Sequence, residues 1–211
     1  MIACIAGATG LTGSFLLNNL LQDPQFHTVY ALVRKTTGIS SEKLQEIVFS
    51  DDLSAIELPE SPDCFFCCLG TTIKMAGSKQ AFRQVDVILT QQLVSIAEKH
   101  QAKSFVLQSS LGANVRSGNF YLSCKGEAEE FLRQSKISSK CSVRPSILAG
   151  PRKEFRLGEK IGLFFMQLLR PILVGKLKRY RAVHVEKVAE AMIREAKNQA
   201  LGWLIIESET L

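Results

Sequence analysis

Short apolar runs alternate with longer segments of helical periodicity from the first residue onward. The runs Ile2–Ala6, Thr28–Val33, Glu46–Phe49, Cys64–Leu69, Ser104–Gln108 and Cys141–Arg144 read as strands, apolar almost throughout as strands covered on both faces must be. Between them Leu11–Leu21, Lys79–His100 and Phe120–Gln134 read as helices. In the second, Val85, Ile88, Leu89, Leu93 and Ile96 fall on one stripe. A last helix is expected over Val185–Asn198 and a short strand over Trp203–Ile206. This alternation predicts an α/β fold, a doubly wound parallel sheet of the Rossmann type.

After Pro145 the pattern changes. A Gly/Pro/Arg-rich loop (Ala149–Gly158) leads to an apolar helix candidate, Glu159–Leu169, and a basic stretch, Lys176–Arg181. The reading is one domain over residues 1–211, with residues 150–182 as a small C-terminal lid or substrate region.

Composition narrows this picture. The chain has 211 residues and a 46% apolar share, enough to bury one substantial core. No run of eighteen uncharged apolar residues occurs and no basic leader precedes the first glycine, so neither a membrane span nor a signal peptide is expected. Cys4, Cys64, Cys67, Cys68, Cys124 and Cys141 lie mostly in apolar, strand-like segments, a placement that favours free buried thiols and a cytoplasmic location. The net charge of +6 suits nucleic acid, anionic lipid or a phosphorylated ligand. No nucleic-acid module accompanies it, which leaves the phosphorylated ligand as the economical choice.

The first strand runs directly into Gly7-Ala8-Thr9-Gly10-Leu11-Thr12-Gly13 and then a helix. In that strand–turn–helix setting, glycines allow the tight turn, the approach of backbone to phosphate and close helix–strand packing. The amides of Thr9 to Thr12 would face a pyrophosphate at the helix N-terminus. Where the second strand ends, an acidic residue would select the ribose hydroxyl of NAD. Here Arg34 and Lys35 stand instead, two cations suited to a 2′-phosphate, and they predict NADP(H).

Tyr121 and Lys125 are spaced i, i+4 on the helix Phe120–Gln134, and so share one face. A nearby ammonium favours phenolate, which would fit Tyr121 for proton exchange with a carbonyl oxygen as hydride moves, with Lys125 also able to hold the nicotinamide ribose. Ser109 and Ser110 follow the fifth strand at the sheet's carboxyl edge, where ligands of open α/β folds bind; either could hydrogen-bond the substrate oxygen.

These residues resemble the short-chain dehydrogenase/reductases of the extended or atypical group, and within it the Tat-interacting-protein oxidoreductase family. The likeness runs to about residue 150. It rests on Gly7-Ala8-Thr9-Gly10 with Thr12-Gly13, Arg34-Lys35, Cys67-Cys68-Leu69-Gly70-Thr71-Thr72 followed by Lys74 and Ala76-Gly77, Ser109-Ser110, and Tyr121-Leu122 with Lys125-Gly126-Glu127. The resemblance implies that Thr9, Gly10, Leu11 and Thr12 meet the pyrophosphate, Arg34 and Lys35 the 2′-phosphate, and Gly70 and Thr71 the nicotinamide side. It makes Tyr121 the proton acceptor with Lys125 its partner, sends Arg144-Pro145-Ser146-Ile147 past the nicotinamide, and lets Arg152 reach a phosphate. One departure is that the family's adenine-contacting acid maps onto neither Asp51 nor Asp52 unambiguously.

Other signals weigh less. Cys64 and Cys67 form a CxxC, but strand alternation sends them to opposite faces, which argues for a buried strand over a metal site. Cys124, on the tyrosine's helix, is a candidate for oxidation. His184 reads as packing at a strand-to-helix turn. The apolar segment from residue 161 to 169, with the basic flank up to residue 181, fits a membrane-surface helix, a homodimer or lid surface, or plain core packing.

The leading expectation is an NADP(H)-dependent oxidoreductase acting on a small carbonyl or alcohol through Tyr121, Lys125 and a serine. The alternative is an NADP(H)-binding regulatory or assembly protein with little turnover. Sugar-nucleotide epimerase or dehydratase chemistry begins with the same hydride step, but the short stretch after Pro145 leaves little room for a sugar-nucleotide domain.

Overall fold

A computed structural model describes residues 1–150 and 181–211. Seven strands form one parallel sheet: β1 (Ile2–Ala6), β2 (Thr28–Val33), β3 (Leu44–Val48), β4 (Cys64–Cys67), β5 (Ser104–Gln108), β6 (Ser139–Arg144) and β9 (Gly202–Glu207), in the order β3-β2-β1-β4-β5-β6-β9. Two further short strands, β7 (Leu148–Ala149) and β8 (Val183–His184), pair with each other. The chain winds outward from β1 to β3, then crosses back to place β4 on the other side of β1. That reversal opens a crevice at the carboxyl ends of β1 and β4, the position at which doubly wound sheets bind ligands.

Helices cover both faces, which is why the central strands are apolar on both sides. On one face Leu16, Leu17 and Leu20 of α1 (Leu11–Gln22) and Val188, Met192 and Ala196 of α6 (Val185–Asn198) pack on Ala3, Ile5, Val29 and Val106. On the other, Leu89, Leu93 and Ala97 of α4 (Leu89–Lys99) and Ala128 and Leu132 of α5 (Phe120–Gln134) pack on Cys4, Tyr30, Phe65 and Phe105. Cys64 and Cys67 lie in opposite clusters, as strand alternation requires. The doubly wound Rossmann architecture predicted from the sequence is the observed one.

The boundaries differ where pairing, not hydrophobicity, decides them. β3 begins at Leu44 because Leu44 and Gln45 pair with Val29 and Tyr30, although an edge strand needs little apolar character. β6 begins at the polar Ser139, held between Ser104 and Gly202. β4 stops at Cys67, and Cys68 to Gly70 turn away into the site. The long helix predicted from Lys79 is two helices, α3 (Lys79–Arg83) and α4, joined by a π-helical turn over Gln84–Ile88. Ser78 caps its start by accepting from the Ala81 amide at 3.0 Å. Between Ala76 and Ser78, Gly77 ends the short α2 (Ile73–Ala76). The helix expected over Glu159–Leu169, the basic run to residue 180 and most of the lid region lie outside the described residues. His184 is the last residue of β8 and the N-cap of α6.

Candidate functional site

The cradle at the crevice is built from backbone. Gly7 has φ +87°, and a Cβ there would stand 2.5 Å from the carbonyl carbon of Cys68; a Cβ on Gly13 would stand 2.0 Å from the Gly7 oxygen. Both positions admit only glycine, because α1 must close on the β1 turn and that turn must close on the loop after β4. The Gly10 amide, expected to face the phosphates, donates instead to the Gly7 carbonyl at 3.0 Å; the amides of Leu11, Thr12 and Gly13 precede the first helical donor, the Ser14 amide, which the Gly10 carbonyl accepts at 2.9 Å. Thr12 Oγ1 is buried beside them without a partner among the described residues. Unspent amides, an orphaned hydroxyl and a helix N-terminus with no acid in its first turn fit a pyrophosphate. Thr9 and Gly10 are exposed at its mouth. Arg34 and Lys35 follow the end of β2, exposed and in no ion pair among the described residues.

On the other side of the crevice, α5 carries Tyr121 and Lys125. Asn119 caps this helix, its Oδ1 accepting from the Leu122 amide at 3.2 Å. Lys125 turns inward to Asp86, Nζ to Oδ1 2.8 Å, in full burial. Asp86 Oδ2 also accepts from the Thr71 amide at 2.9 Å, so one carboxylate ties the lysine to the loop after β4. Gly70 lies over the pair, where a Cβ would meet Asp86 Oδ1 and Lys125 Nζ, each at 3.6 Å. Burial alone would lower the pKa of Lys125. The Asp86 carboxylate, with Tyr121 acting in the same direction, outweighs it and the lysine is pushed up to about 12.

Tyr121 is half-buried with its ring edge-on to Phe82, centroids 5.9 Å apart, and its hydroxyl has no partner among the described residues. Two further ion pairs pin its helix. Arg83 of α3 makes two 2.8 Å bonds to Glu127, and Arg144 of β6 holds Glu129 at 2.8 and 2.5 Å. Gly126 lets the loop after β5 press on α5; a Cβ there would stand 2.3 Å from the Val115 nitrogen.

The two serines differ. Ser109 is buried, its hydroxyl without a partner among the described residues, while its amide donates to the Val143 carbonyl at 2.7 Å. Ser110 is partly accessible and its hydroxyl makes only a 3.5 Å contact to the Leu111 carbonyl. Leu111 donates to the Pro145 carbonyl at 3.0 Å, which joins the loops after β5 and β6. Pro145 is buried there and Ile147 exposed. Arg152 lies outside the described residues. Asp52 is occupied with Ser54 and Gln92 beside β3. A groove of about 400 Å³ lined by Ser61, Asp63, His100 and Lys103 opens at the opposite, amino-terminal edge. Its Asp63 is committed to Lys103 and the Ile2 amide, away from this chemistry.

Asp86 was not among the sequence candidates. Its signal was a lone carboxylate between Val85 and Val87 in an apolar stripe, and the π turn carrying it has no local sequence mark.

Residues 7–199 match a family described as NAD(P)H-binding. The chain belongs to this NAD(P)H-binding family. Relatives include the mitochondrial protein FMP52 of Candida albicans, 32% identical over 188 residues, covering 82% of this chain and 82% of that protein. The mitochondrial FMP52 of Candida glabrata is 31% identical over 204 residues, covering 93% and 87%. Among solved structures, the fold is shared with a UDP-glucose 4-epimerase from Thermotoga maritima (TM-score 0.72, 18% identity, 98% of this chain and 77% of that one). It is shared too with human epimerase family protein SDR39U1 with NADPH (TM-score 0.67, 16% identity, 100% and 77%).

The relatives' names correct one expectation. They are mitochondrial proteins, so the cytoplasmic location read from the cysteines is overturned. Free, buried thiols reflect strand packing and the lack of disulfides, and neither distinguishes one reducing compartment from another.

Proposed function

We propose that this NAD(P)H-binding protein is an NADP(H)-dependent oxidoreductase of the short-chain dehydrogenase/reductase type, akin to the Tat-interacting-protein oxidoreductases, acting on a carbonyl or alcohol. The observation that carries the proposal is the buried Asp86–Lys125 pair one helical turn from the unpartnered Tyr121 hydroxyl. Burying an ammonium and a carboxylate is costly, and a domain that only held a nucleotide would gain nothing from doing so beside a phenol.

The glycine loop and α1 would hold the pyrophosphate, and Arg34 with Lys35 the 2′-phosphate. The bound nicotinamide supplies or accepts the hydride. In the reductive direction Tyr121 Oη gives its proton to the carbonyl oxygen as the hydride reaches the carbon, and recovers a proton from solvent after the alcohol leaves. Ser110 hydrogen-bonds the same oxygen, a role supported by its accessibility; the Ser109 hydroxyl is sealed from an entering substrate. Lys125 keeps a fixed positive charge beneath the phenol and Asp86 keeps Lys125 in place.

The test is a carbonyl and alcohol panel followed by NADPH absorbance, wild type against Tyr121→Phe. Turnover lost in the variant with NADPH affinity retained supports the proposal. Tight NADPH binding with no turnover in either protein overturns it in favour of a regulatory NADP(H)-binding role.

A further inference from the structure

Large apolar side chains stand exposed on the three loops that follow β4, β5 and β6: Ile73 at 43%, Met75 at 66%, Val115 at 49% and Ile147 at 48%. Single exposed apolar residues are ordinary, but these are gathered at one edge. β4, β5 and β6 are adjacent in the sheet, so their loops are neighbours. The Leu111–Pro145 hydrogen bond joins the second loop to the third. Ala76, at the end of the helix bearing Ile73 and Met75, packs against the cluster of Phe82, Val87 and Cys124, as Phe120 and Tyr121 also do. The close approach of Gly126 to Val115 sets the second loop against the tyrosine's helix.

Charge on the same loops has one sign. Lys74 sits between Ile73 and Met75, Arg116 follows Val115, and neither 68–79 nor 109–119 contains an aspartate or glutamate. Lys74 and Arg116 are exposed and in no ion pair among the described residues, whereas Arg83, Lys103, Arg133 and Arg144 are all paired with carboxylates. Apolar surface interleaved with unpaired cations, beside a proton donor, matches a ligand with an apolar body and an acid group.

Resting on the hydride-transfer reading above, we propose that the substrate is an anionic amphiphile: a carbonyl or alcohol on an apolar chain that carries a carboxylate or phosphate. The chain lies along Ile73, Met75, Val115 and Ile147, and Lys74 and Arg116 receive the acid group.

The NADPH-loaded protein is titrated by calorimetry with dodecanoate, dodecyl phosphate, dodecanol and butanoate, all below micellar concentrations. Dodecanoate or dodecyl phosphate is expected to bind at least about tenfold tighter than butanoate and dodecanol; the tighter of the two identifies the acid group. In Lys74→Glu/Arg116→Glu that ligand falls to the level of dodecanol while NADPH affinity is unchanged. Equal binding of butanoate or dodecanol, or indifference to the double variant, overturns the inference. Turnover of the ω-aldehyde of dodecanoate is measured against dodecanal and butanal. The expected binding pattern with no aldehyde reduced defeats the hydride-transfer reading and leaves the amphiphile site standing. Reduction of butanal without any preference for the acids leaves the reaction standing and defeats the amphiphile.

Discussion

Asp86 and Lys125 meet at 2.8 Å in the interior, their side chains 0% and 6% exposed. The pair joins the π turn before α4 to the middle of α5, and through the Thr71 amide it also fixes the loop after β4.

Breaking that pair has two separable consequences. Asp86→Ala leaves a buried ammonium uncompensated and is expected to cost about 3–5 kcal/mol in urea unfolding. Asp86→Asn keeps the shape and the bond from Thr71 but removes the charge that holds the Lys125 proton. Its alkaline limb of kcat against pH should move down by roughly one unit or more. An unchanged limb would show that Asp86 is only a packing residue.

The serines should separate by activity and stability together. Ser110→Ala is expected to lower kcat/KM for a reducible carbonyl by about a hundredfold, the loss of one hydrogen bond to the reacting oxygen, with stability unchanged. Ser109→Ala deletes a buried hydroxyl that has no partner, so unfolding free energy should hold or rise and kcat/KM should change by less than about tenfold. The reverse order would move the substrate contact to Ser109.

Arg34→Asp places a carboxylate where the 2′-phosphate is expected. Calorimetry should give an NADPH affinity reduced by roughly tenfold to a hundredfold with NADH affinity equal or better. Equal losses for the two cofactors would defeat the selection of NADP(H).

Alkaline stability should be limited first by thiols. Burial pushes up Cys4, Cys64, Cys67, Cys68 and Cys141, the last to about 12. Each stays protonated in the native state while the unfolded chain ionises near about pH 8.5, so stability is full below that pH and falls above it. Lys125 adds a later loss: its stabilisation is complete below about pH 10.4 and disappears as pH rises through about 12. Urea unfolding between pH 7 and 10 should show the decline, and Cys141→Val should make it shallower.

The sequence by itself determined whatever is local. Glycines at 7 and 13 can serve only a closed strand–turn–helix, the buried central strands need unbroken apolar runs, and the periods ending at Gln134 and Asn198 set helices whose bounds the structure reproduces. Tyr121, Lys125, Arg34 and Lys35 stand out as candidates in the sequence because each sits at a fixed offset from such an element. Only the tertiary structure decided that Asp86 faces Lys125, which serine stays open, and where the edge strands begin. Those depend on a π turn that rotates one carboxylate inward, on the packing of α5 against the loop after β5, and on hydrogen-bonded partners distant in the chain. A residue's neighbours along the sequence carry no record of such partners.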